Sequence, residues 1–498
     1  MEVTLFHTVF LSLSLFIIFL TKLHKKKPNH HLNKVSRTLP PTLPSLPILG
    51  HLHLFTKPLH QTLADLSGRL GPIVSLRFGS RPVVSVSSPE IAEMCLTAHG
   101  PASIGPVSAA AAELLSSPYL RSAAARIRAD EARRLLRGLF CEAEAAAAEW
   151  SAGGAVKVEL KSRLFGMAVD VVMRMVAGKR YYGAAEEAVE EGRRFREAVE
   201  EMFGMRGASS AGELVRWLRW VDMVDVGQRL PRFRERMEVL LQELIEEQSR
   251  SGGNVGEEAG ENINGEKSMI HLLQSLQLAD PVKYNDAFNK DLVTRFITAG
   301  TETVSNTIEW AMSLLLNNPE KMKKARAEID DNIGHSRLLR ESDLWNLSYL
   351  HCIISETLRL YPAAPVIVAL ESSSACIMDG YDVPSDAMLL VNVYSIHRNP
   401  EVWHEPEKFI PERFQSSRAE GSIVLPFGLG RRRCPGEAFA GRVIGLVLGS
   451  MIQCFEWERV GNFDVDMMEG ASLTLPKVVP LEAVCTPRPA LTHLLERL

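Results

Sequence analysis

The chain has 498 residues, 46% of them hydrophobic, which is enough for a sizeable core. Its 56 lysines and arginines nearly balance 60 aspartates and glutamates, and the resulting net charge of −4 argues against nucleic acid as the main partner. The 7 cysteines are scattered and contain no C-x-x-C pair, which argues against a disulfide framework or a zinc site and favours a reducing compartment.

The N-terminal residues Val3 to Leu20 are mainly apolar, and the basic residues Lys22 and Lys25 to Lys27 follow them. A helix of this length spans nearly the whole bilayer core of roughly 30 Å, at about 1.5 Å per residue. A cleaved signal peptide is the competing interpretation, but its basic flank should come first and a small-residue cleavage site should follow. We therefore predict an uncleaved transmembrane anchor over residues 1–23, with the rest of the chain in the cytosol.

A connector and a single globular body are predicted after the anchor. Residues 24–50 are basic and then proline-rich, and prolines favour a stiff, extended segment over a helix. Short β-type runs at 72–79 and 82–86 are separated by a hairpin signal, and the pattern is mostly helical from there to about residue 370. We predict a hinge at 24–50 and one catalytic body at 51–498, mainly α with small β-sheets.

A predicted helix at Phe296–Trp310 has an unusually polar middle. Thr303 can turn its hydroxyl toward the carbonyl of Ala299, which loosens the helix locally, and Gly300 leaves room for a ligand. Glu302 beside Thr303 provides an acid and a hydroxyl for a short proton relay. The alternative is an ordinary amphipathic helix with a polar edge, because A-G-x-E-T alone is a weak motif.

A second predicted helix carries Glu356-Thr-Leu-Arg359, which places a carboxylate and a guanidinium on one helix face. The flanking residues are apolar, so a buried ion pair is predicted, and such a pair needs further partners. Arg413, in the segment Phe409–Phe414, is the predicted third member.

The segment Leu425–Glu437 surrounds Cys434 with glycines and arginines. Pro435 suits the first position of a following helix, which would place Cys434 at the N-cap, where free N–H groups and the helix dipole favour a thiolate. A thiolate held in a glycine-rich loop is what an axial ligand of haem iron requires. Three glycines allow the loop to turn tightly and to approach a flat group: Gly428, Gly430 and Gly436.

In this order the three motifs resemble those of the cytochrome P-450 monooxygenases, and the cysteine loop is similar to their haem-binding loop. The resemblance runs from about Leu39 to the C-terminus and is closest to a plant microsomal branch that includes isoflavone hydroxylases. It implies a haem-thiolate fold with haem b and with Cys434 as the iron ligand. The residues that it implies around the haem are Phe427, Gly430, Arg432, Cys434, Gly436, Ala299 and Gly300.

The resemblance also implies an activity and a location. Electrons from NADPH would arrive through a membrane-bound reductase at the endoplasmic reticulum, and O2 would hydroxylate or methylenedioxy-bridge an aromatic plant secondary metabolite such as an isoflavonoid. Glu302 and Thr303 would be catalytic and would supply protons, while Glu356, Arg359 and Arg413 would be structural. The expected pocket walls are Ile297, Val366, Val368 and Leu473.

Two departures from the family pattern concern the haem propionates. The W-x-x-x-R helix of the family is missing, so the region at about 90–128 is predicted to be shortened, and Ala369-Leu370 stands where relatives have Pro-His. The candidate propionate partners are then Arg432 and, as substitutes, Arg121, Arg126 and Arg128. A truncated, catalytically impaired relative with weak haem binding is therefore the alternative hypothesis.

Overall fold

A computed structural model describes most of the chain. The described residues are 39–97, 106–150, 155–182, 192–199, 201, 226–252, 268–369, 376–415, 424–430, 433–470, 472 and 474–498. The predicted anchor, the first part of the hinge, Leu370, Arg432 and Leu473 lie outside them. Within them, the helix Glu437–Cys454 is long and apolar enough to cross a membrane, but 67% of it is buried inside the protein, as in a core helix.

The helices of the described residues are α1 Leu59–Leu70, α2 Pro89–Thr97, α3 Pro106–Ser116, α4 Pro118–Trp150, α5 Leu160–Ala177, α6 Val226–Gly252, α7 Met269–Ala279, α8 Asp286–Gly300, α9 Glu302–Asn317, α10 Pro319–Ile333, α11 Ser348–Leu360, α12 Val393–Ile396, α13 Glu437–Cys454 and α14 Thr492–Leu495. Short 3₁₀ turns lie at Leu52–Leu54, Glu341–Asn346, Pro411–Gln415 and Pro489–Leu491. The strands are β1 Ile73–Phe78, β2 Arg81–Val86, β3 Val156–Glu159, β4 Ile367–Ala369, β5 Cys376–Met378, β6 Tyr381–Val383, β7 Met388–Val391, β8 Phe455–Arg459 and β9 Glu482–Pro487. The predicted class, mainly α with small sheets, is confirmed.

The strands form three small sheets in the described part of the chain. The largest has the order β1-β2-β7-β4, and its first two strands are the predicted hairpin, antiparallel with Ile73 opposite Val86. Strand β7 pairs in parallel with β2 and antiparallel with β4. The others have the orders β3-β9-β8 and β5-β6. Strands of the largest sheet contribute to two smaller apolar clusters, whereas the largest cluster consists mainly of helical residues.

The main core is formed by helices α4, α5, α8, α9, α11 and α13, whose apolar faces join one cluster. Helix α9 packs against α5 on one side and against α13 on the other. Trp310 of α9 is 1% exposed, stacks on Tyr361 at 3.9 Å between ring centroids, and donates its indole N–H to the carbonyl of Leu475 at 2.8 Å. A buried tryptophan with a satisfied N–H anchors α9 firmly in the core.

Candidate active site

The backbone of the cysteine loop is fixed by its own hydrogen bonds. The N–H of Gly428 donates to the carbonyl of Leu425 at 3.1 Å, and the N–H of Cys434 donates to that of Phe427 at 2.8 Å. Gly428 and Gly430 have φ angles of 71° and 65°, in the left-handed region that glycine adopts without steric cost. The glycines thus close a loop that holds Cys434 against the backbone of Phe427.

Gly430 also packs directly against the end of helix α2. A Cβ added to it would lie 2.7 Å from the carbonyl oxygen of Leu96, closer than real Cβ contacts. We expect Gly430→Ala to lower the unfolding midpoint and the haem-to-protein ratio, because the left-handed backbone alone costs about 1–2 kcal/mol for alanine. Gly441→Ala is the matched control: its Cβ meets nothing within 4 Å, and alanine favours the helix. Equal midpoints and haem contents for the two variants would contradict this packing role.

The sulfur of Cys434 lies just before helix α13 and not at its N-cap. The N-cap is Gly436 and the helix begins at Glu437, so the predicted N-cap position of Cys434 is wrong. Burial of the sulfur raises the pKa of the Cys434 thiol and the charge of Glu437 adds to this, whereas hydrogen bonds from the N–H groups of Gly436 and Glu437 lower it. The net effect is a raised pKa of the thiol, because the loss of solvation outweighs the two N–H donors.

The donor set nevertheless fits a haem iron. Cys434 is exposed as a whole residue, although its sulfur itself is largely enclosed by protein. A metal cation deprotonates a coordinating thiol outright, and the N–H groups of Gly436 and Glu437 already point at the sulfur. A haem iron bound at Cys434 would therefore favour the thiolate, and the two backbone N–H donors would add to this effect.

The predicted polar helix is interrupted at its polar middle. Helix α8 ends at Gly300 and α9 begins at Glu302, with Thr301 between them. The hydroxyl of Thr303 donates to the carbonyl of Ala299 at 2.6 Å, as the sequence predicts. A second hydroxyl, that of Thr301, donates to the carbonyl of Ile297 at 2.8 Å. These side-chain bonds compete with the helical ladder and account for the break.

The residues of this segment differ in how far they are buried. Ala299 is exposed, and Glu302 and Thr303 are half-buried, so these three keep accessible surface. A Cβ on Gly300 would instead lie 3.0 Å from a methyl group of Val172 in helix α5. Gly300 therefore allows helices α5 and α8 to approach each other closely. The sequence suggests a different reason for this glycine, namely room for a ligand.

Behind the loop, the three predicted structural residues form one buried network. Glu356 and Arg359 are both 0% exposed and share two hydrogen bonds of 2.7 and 2.8 Å. Arg413 approaches the same carboxylate at 3.2 Å, and the N–H of Ile410 donates to it at 2.9 Å. Arg359 also donates to the carbonyl of His397 at 2.7 Å. Every charge in this network therefore has several partners, as a buried ion pair requires.

His397 connects this network to the cysteine loop. One ring nitrogen, Nδ1, lies 3.0 Å from the carbonyl of Arg359 and must donate to it, while Nε2 accepts the N–H of Leu425 at 2.8 Å. Burial lowers the pKa of His397 to about 3, so the ring is neutral and acts as a fixed spacer. Sequence reasoning missed this role, and the only signal was its position in the family-like stretch 390–398.

Comparison with known proteins agrees with this geometry. A family model described as cytochrome P450 matches residues 40–480. The chain belongs to the cytochrome P450 family. A solved zebra fish cytochrome P450 with progesterone superposes with a TM-score of 0.65 at 21% identity, covering 87% of this chain and 100% of that one, which shows the shared fold.

The similar plant P450s confirm the predicted branch. Cytochrome P450 81Q32 of Catharanthus roseus is 43% identical over 480 residues, covering 91% of this chain and 92% of its own. The (+)-piperitol/(+)-sesamin synthase of Sesamum radiatum is 40% identical, with 92% of each chain covered. The isoflavone 3′-hydroxylase of Medicago truncatula is also 40% identical, covering 91% of this chain and 93% of its own. This protein is thus a P450 monooxygenase related to enzymes of plant secondary metabolism, and its family implies haem held by a cysteine thiolate.

The relatives contain residues that this P450 lacks. The alignment to cytochrome P450 81E8 of Medicago truncatula extends over 513 residues, although this chain has 498 and 97% of it is covered. The alignment must therefore contain positions without a residue in this chain. Their location within 90–128 stays a prediction from the sequence.

Of the proposed substitutes for the missing propionate donors, Arg128 is already engaged. It is 2% exposed, and its Nε and Nη2 donate to Glu341 at 2.7–2.9 Å. Its guanidinium also lies 5.5 Å from the ring centroid of Phe439. The charge of Arg128 is therefore already satisfied inside the protein, which argues against it as a propionate partner. Arg121 and Arg126 lie exposed on α4.

The expected pocket walls differ in exposure. Ile297 is 0% exposed in the main core, and Val366 is 9% exposed in a smaller cluster under the β1-β2 hairpin. Val368 of strand β4 keeps 50% of its surface exposed. Among the described candidates, Val368 therefore has the most exposed side chain, and the pocket role of all three stays a prediction.

Proposed function

We propose that this P450 uses O2 and electrons from NADPH, delivered by a membrane-bound reductase, to hydroxylate or methylenedioxy-bridge an aromatic plant secondary metabolite such as an isoflavonoid. The proposal includes an endoplasmic reticulum location, with residues 1–23 as anchor and 24–50 as hinge. The observation that carries it is Cys434, whose sulfur accepts the N–H groups of Gly436 and Glu437 and which is held in a glycine-closed loop that His397 connects to the buried ion-pair network. The isoflavone hydroxylase and sesamin synthase named above support the substrate class.

Cys434 holds the cofactor in this proposal. The haem iron, when bound, supplies the oxygen-activating chemistry, and thiolate ligation favours cleavage of the O–O bond. The N–H groups of Gly436 and Glu437 orient the sulfur and disperse part of its negative charge. Phe427 packs its side chain against the main core beside the loop and shields one side of it from water.

Glu302 and Thr303 handle protons in this proposal. A hydroxyl has one proton and two lone pairs, so Thr303 can accept a proton from one side while it donates to the other. Its present acceptor is the carbonyl of Ala299, and rotation about one bond redirects that proton toward the accessible face. Glu302, which precedes it in the sequence and is half-buried as a residue, is the proposed acid that restores the proton.

Thr303→Val is expected to lower the rate of product formation by on the order of 10²-fold, because it removes a hydroxyl of similar size and leaves the fold intact. Thr303→Ser, which keeps the hydroxyl, is expected to retain most of the activity. The measurements are the rate of product formation and the product formed per NADPH consumed in the reconstituted system. Equal yields from the valine and serine variants would exclude the relay.

The proposed function is tested with the purified full-length chain. The reduced, carbon monoxide-treated protein should show a thiolate-type Soret band, and with a plant reductase and NADPH it should convert an isoflavone or a furofuran lignan to an oxygenated or methylenedioxy product. A full-length protein without that band would overturn the proposal and favour the impaired relative. The comparisons give that alternative no support.

A further inference from the structure

A cavity of about 650 Å³ lies away from the cysteine loop, between α4, the segment 336–342 and α13. It is lined on α13 by Leu446 and Ser450, which lie about 14 and 20 Å along that helix from its start at Glu437. Ala125, Ala129 and Ala132 lie along one side of α4 at helical spacing, and their small side chains leave the space open. The cavity is therefore distinct from the site around Cys434.

Positive charge dominates the walls of this cavity. Two acidic side chains line it, Asp130 and Glu341, against five arginines: Arg126, Arg133, Arg174, Arg337 and Arg340. Hydroxyl donors are added by Ser336 and Ser342. A partly enclosed space with this excess of guanidinium groups concentrates a positive potential and attracts anions.

Both acids of the lining already contact two arginines each. Asp130 lies 3.2 Å from Arg133 and 3.3 Å from Arg174. Glu341 lies 2.7 Å from the buried Arg128 and 3.5 Å from Arg442, which come from outside the lining. From outside the lining, Glu131 pairs with Arg174 at 2.7 Å and Asp343 with Arg337 at 2.6 Å. Arginines still outnumber the acids around the cavity, so a smaller excess of positive charge remains.

We propose that this cavity binds a phosphorylated small molecule. Guanidinium groups match phosphate with two parallel N–H donors and remain charged at every physiological pH. Arg337 already donates Nη1 and Nη2 to the Asp343 carboxylate at 2.6 and 3.0 Å, so it contributes charge to the cavity, while Arg126 and Arg340 on the rim are the proposed phosphate donors. The alanine and leucine side chains provide apolar surface for the rest of the ligand. This inference is independent of the proposed oxygenation.

The test is calorimetric titration of the full-length, detergent-solubilised protein with inorganic pyrophosphate. We expect saturable binding that weakens as salt rises, and at least about tenfold weaker binding in Arg340→Gln combined with Arg126→Gln. Both arginines are exposed on the cavity rim, so folding should persist, and the unfolding midpoint checks this. Ala129→Phe fills the cavity without a charge change and should abolish binding. Arg295→Gln, an exposed arginine outside the cavity, is the control and should bind like the wild type.

Three results would overturn the proposal: no saturable binding of pyrophosphate, equal binding by the double variant and the wild type, or binding only to vesicles of anionic phospholipid. The last would assign the arginines to a membrane surface. If Ala129→Phe fails to fold, the double variant decides the outcome by itself.

Discussion

Replacing Glu356 with glutamine is expected to lower the free energy of unfolding by about 3–5 kcal/mol. The carboxylate is 0% exposed and faces two guanidinium groups, those of Arg359 and Arg413, so its neutralisation leaves buried positive charge without its counterion. A loss of this size is a large fraction of the roughly 5–15 kcal/mol that stabilises a typical protein. The measurement is the urea unfolding midpoint of the purified variant.

The matched control is an ion pair of the same charges on the surface. Asp291 and Arg295 lie 3.0 Å apart in helix α8 and are both well exposed, so Asp291→Asn should cost less than about 1 kcal/mol. Similar midpoints for Glu356→Gln and Asp291→Asn would show that burial does not set the strength of the Glu356 network.

The damage should also extend to the cofactor. Arg359 bonds to the backbone of His397, and the ring of His397 holds the N–H of Leu425, where the cysteine loop begins. A shift of Arg359 therefore reaches the loop through one rigid, neutral ring. We expect the haem-to-protein ratio of Glu356→Gln to fall together with its stability, while Asp291→Asn keeps both.

Local spacing accounts for what the sequence predicts correctly. The i, i+3 separation of Glu356 and Arg359 and the reach of a threonine hydroxyl to the carbonyl four residues before it are fixed by helix geometry. Both contacts are present in the structure. The β1-β2 hairpin follows in the same way from its turn residues.

Contacts between distant segments account for what the sequence does not predict. The partner of Arg128 is Glu341, 213 residues later, and no spacing rule connects them. Gly300 is small because Val172 of another helix lies against it. The pKa of the Cys434 thiol rises because burial outweighs the nearby N–H donors, and burial is a property of the assembled fold.

Replacing Cys434 with serine is expected to abolish the thiolate-type Soret band of the reduced, carbon monoxide-treated protein and to reduce oxygenation to background. The hydroxyl of serine can accept the same N–H groups of Gly436 and Glu437, so the loop should keep its conformation. Serine stays a neutral alcohol, however, and cannot supply the electron density of a thiolate. The expected loss is therefore chemical, with little change in the unfolding midpoint of the haem-free protein.

Cys141→Ser provides the matched control, since Cys141 is an exposed cysteine on helix α4. It should leave the spectrum, the turnover and the stability unchanged. A thiolate-type band that survives in Cys434→Ser but disappears in another cysteine variant would move the iron ligand elsewhere. Loss of the band together with general unfolding of Cys434→Ser would instead show that this cysteine stabilises the loop mechanically, contrary to the ligand role that its loop and its backbone donors support.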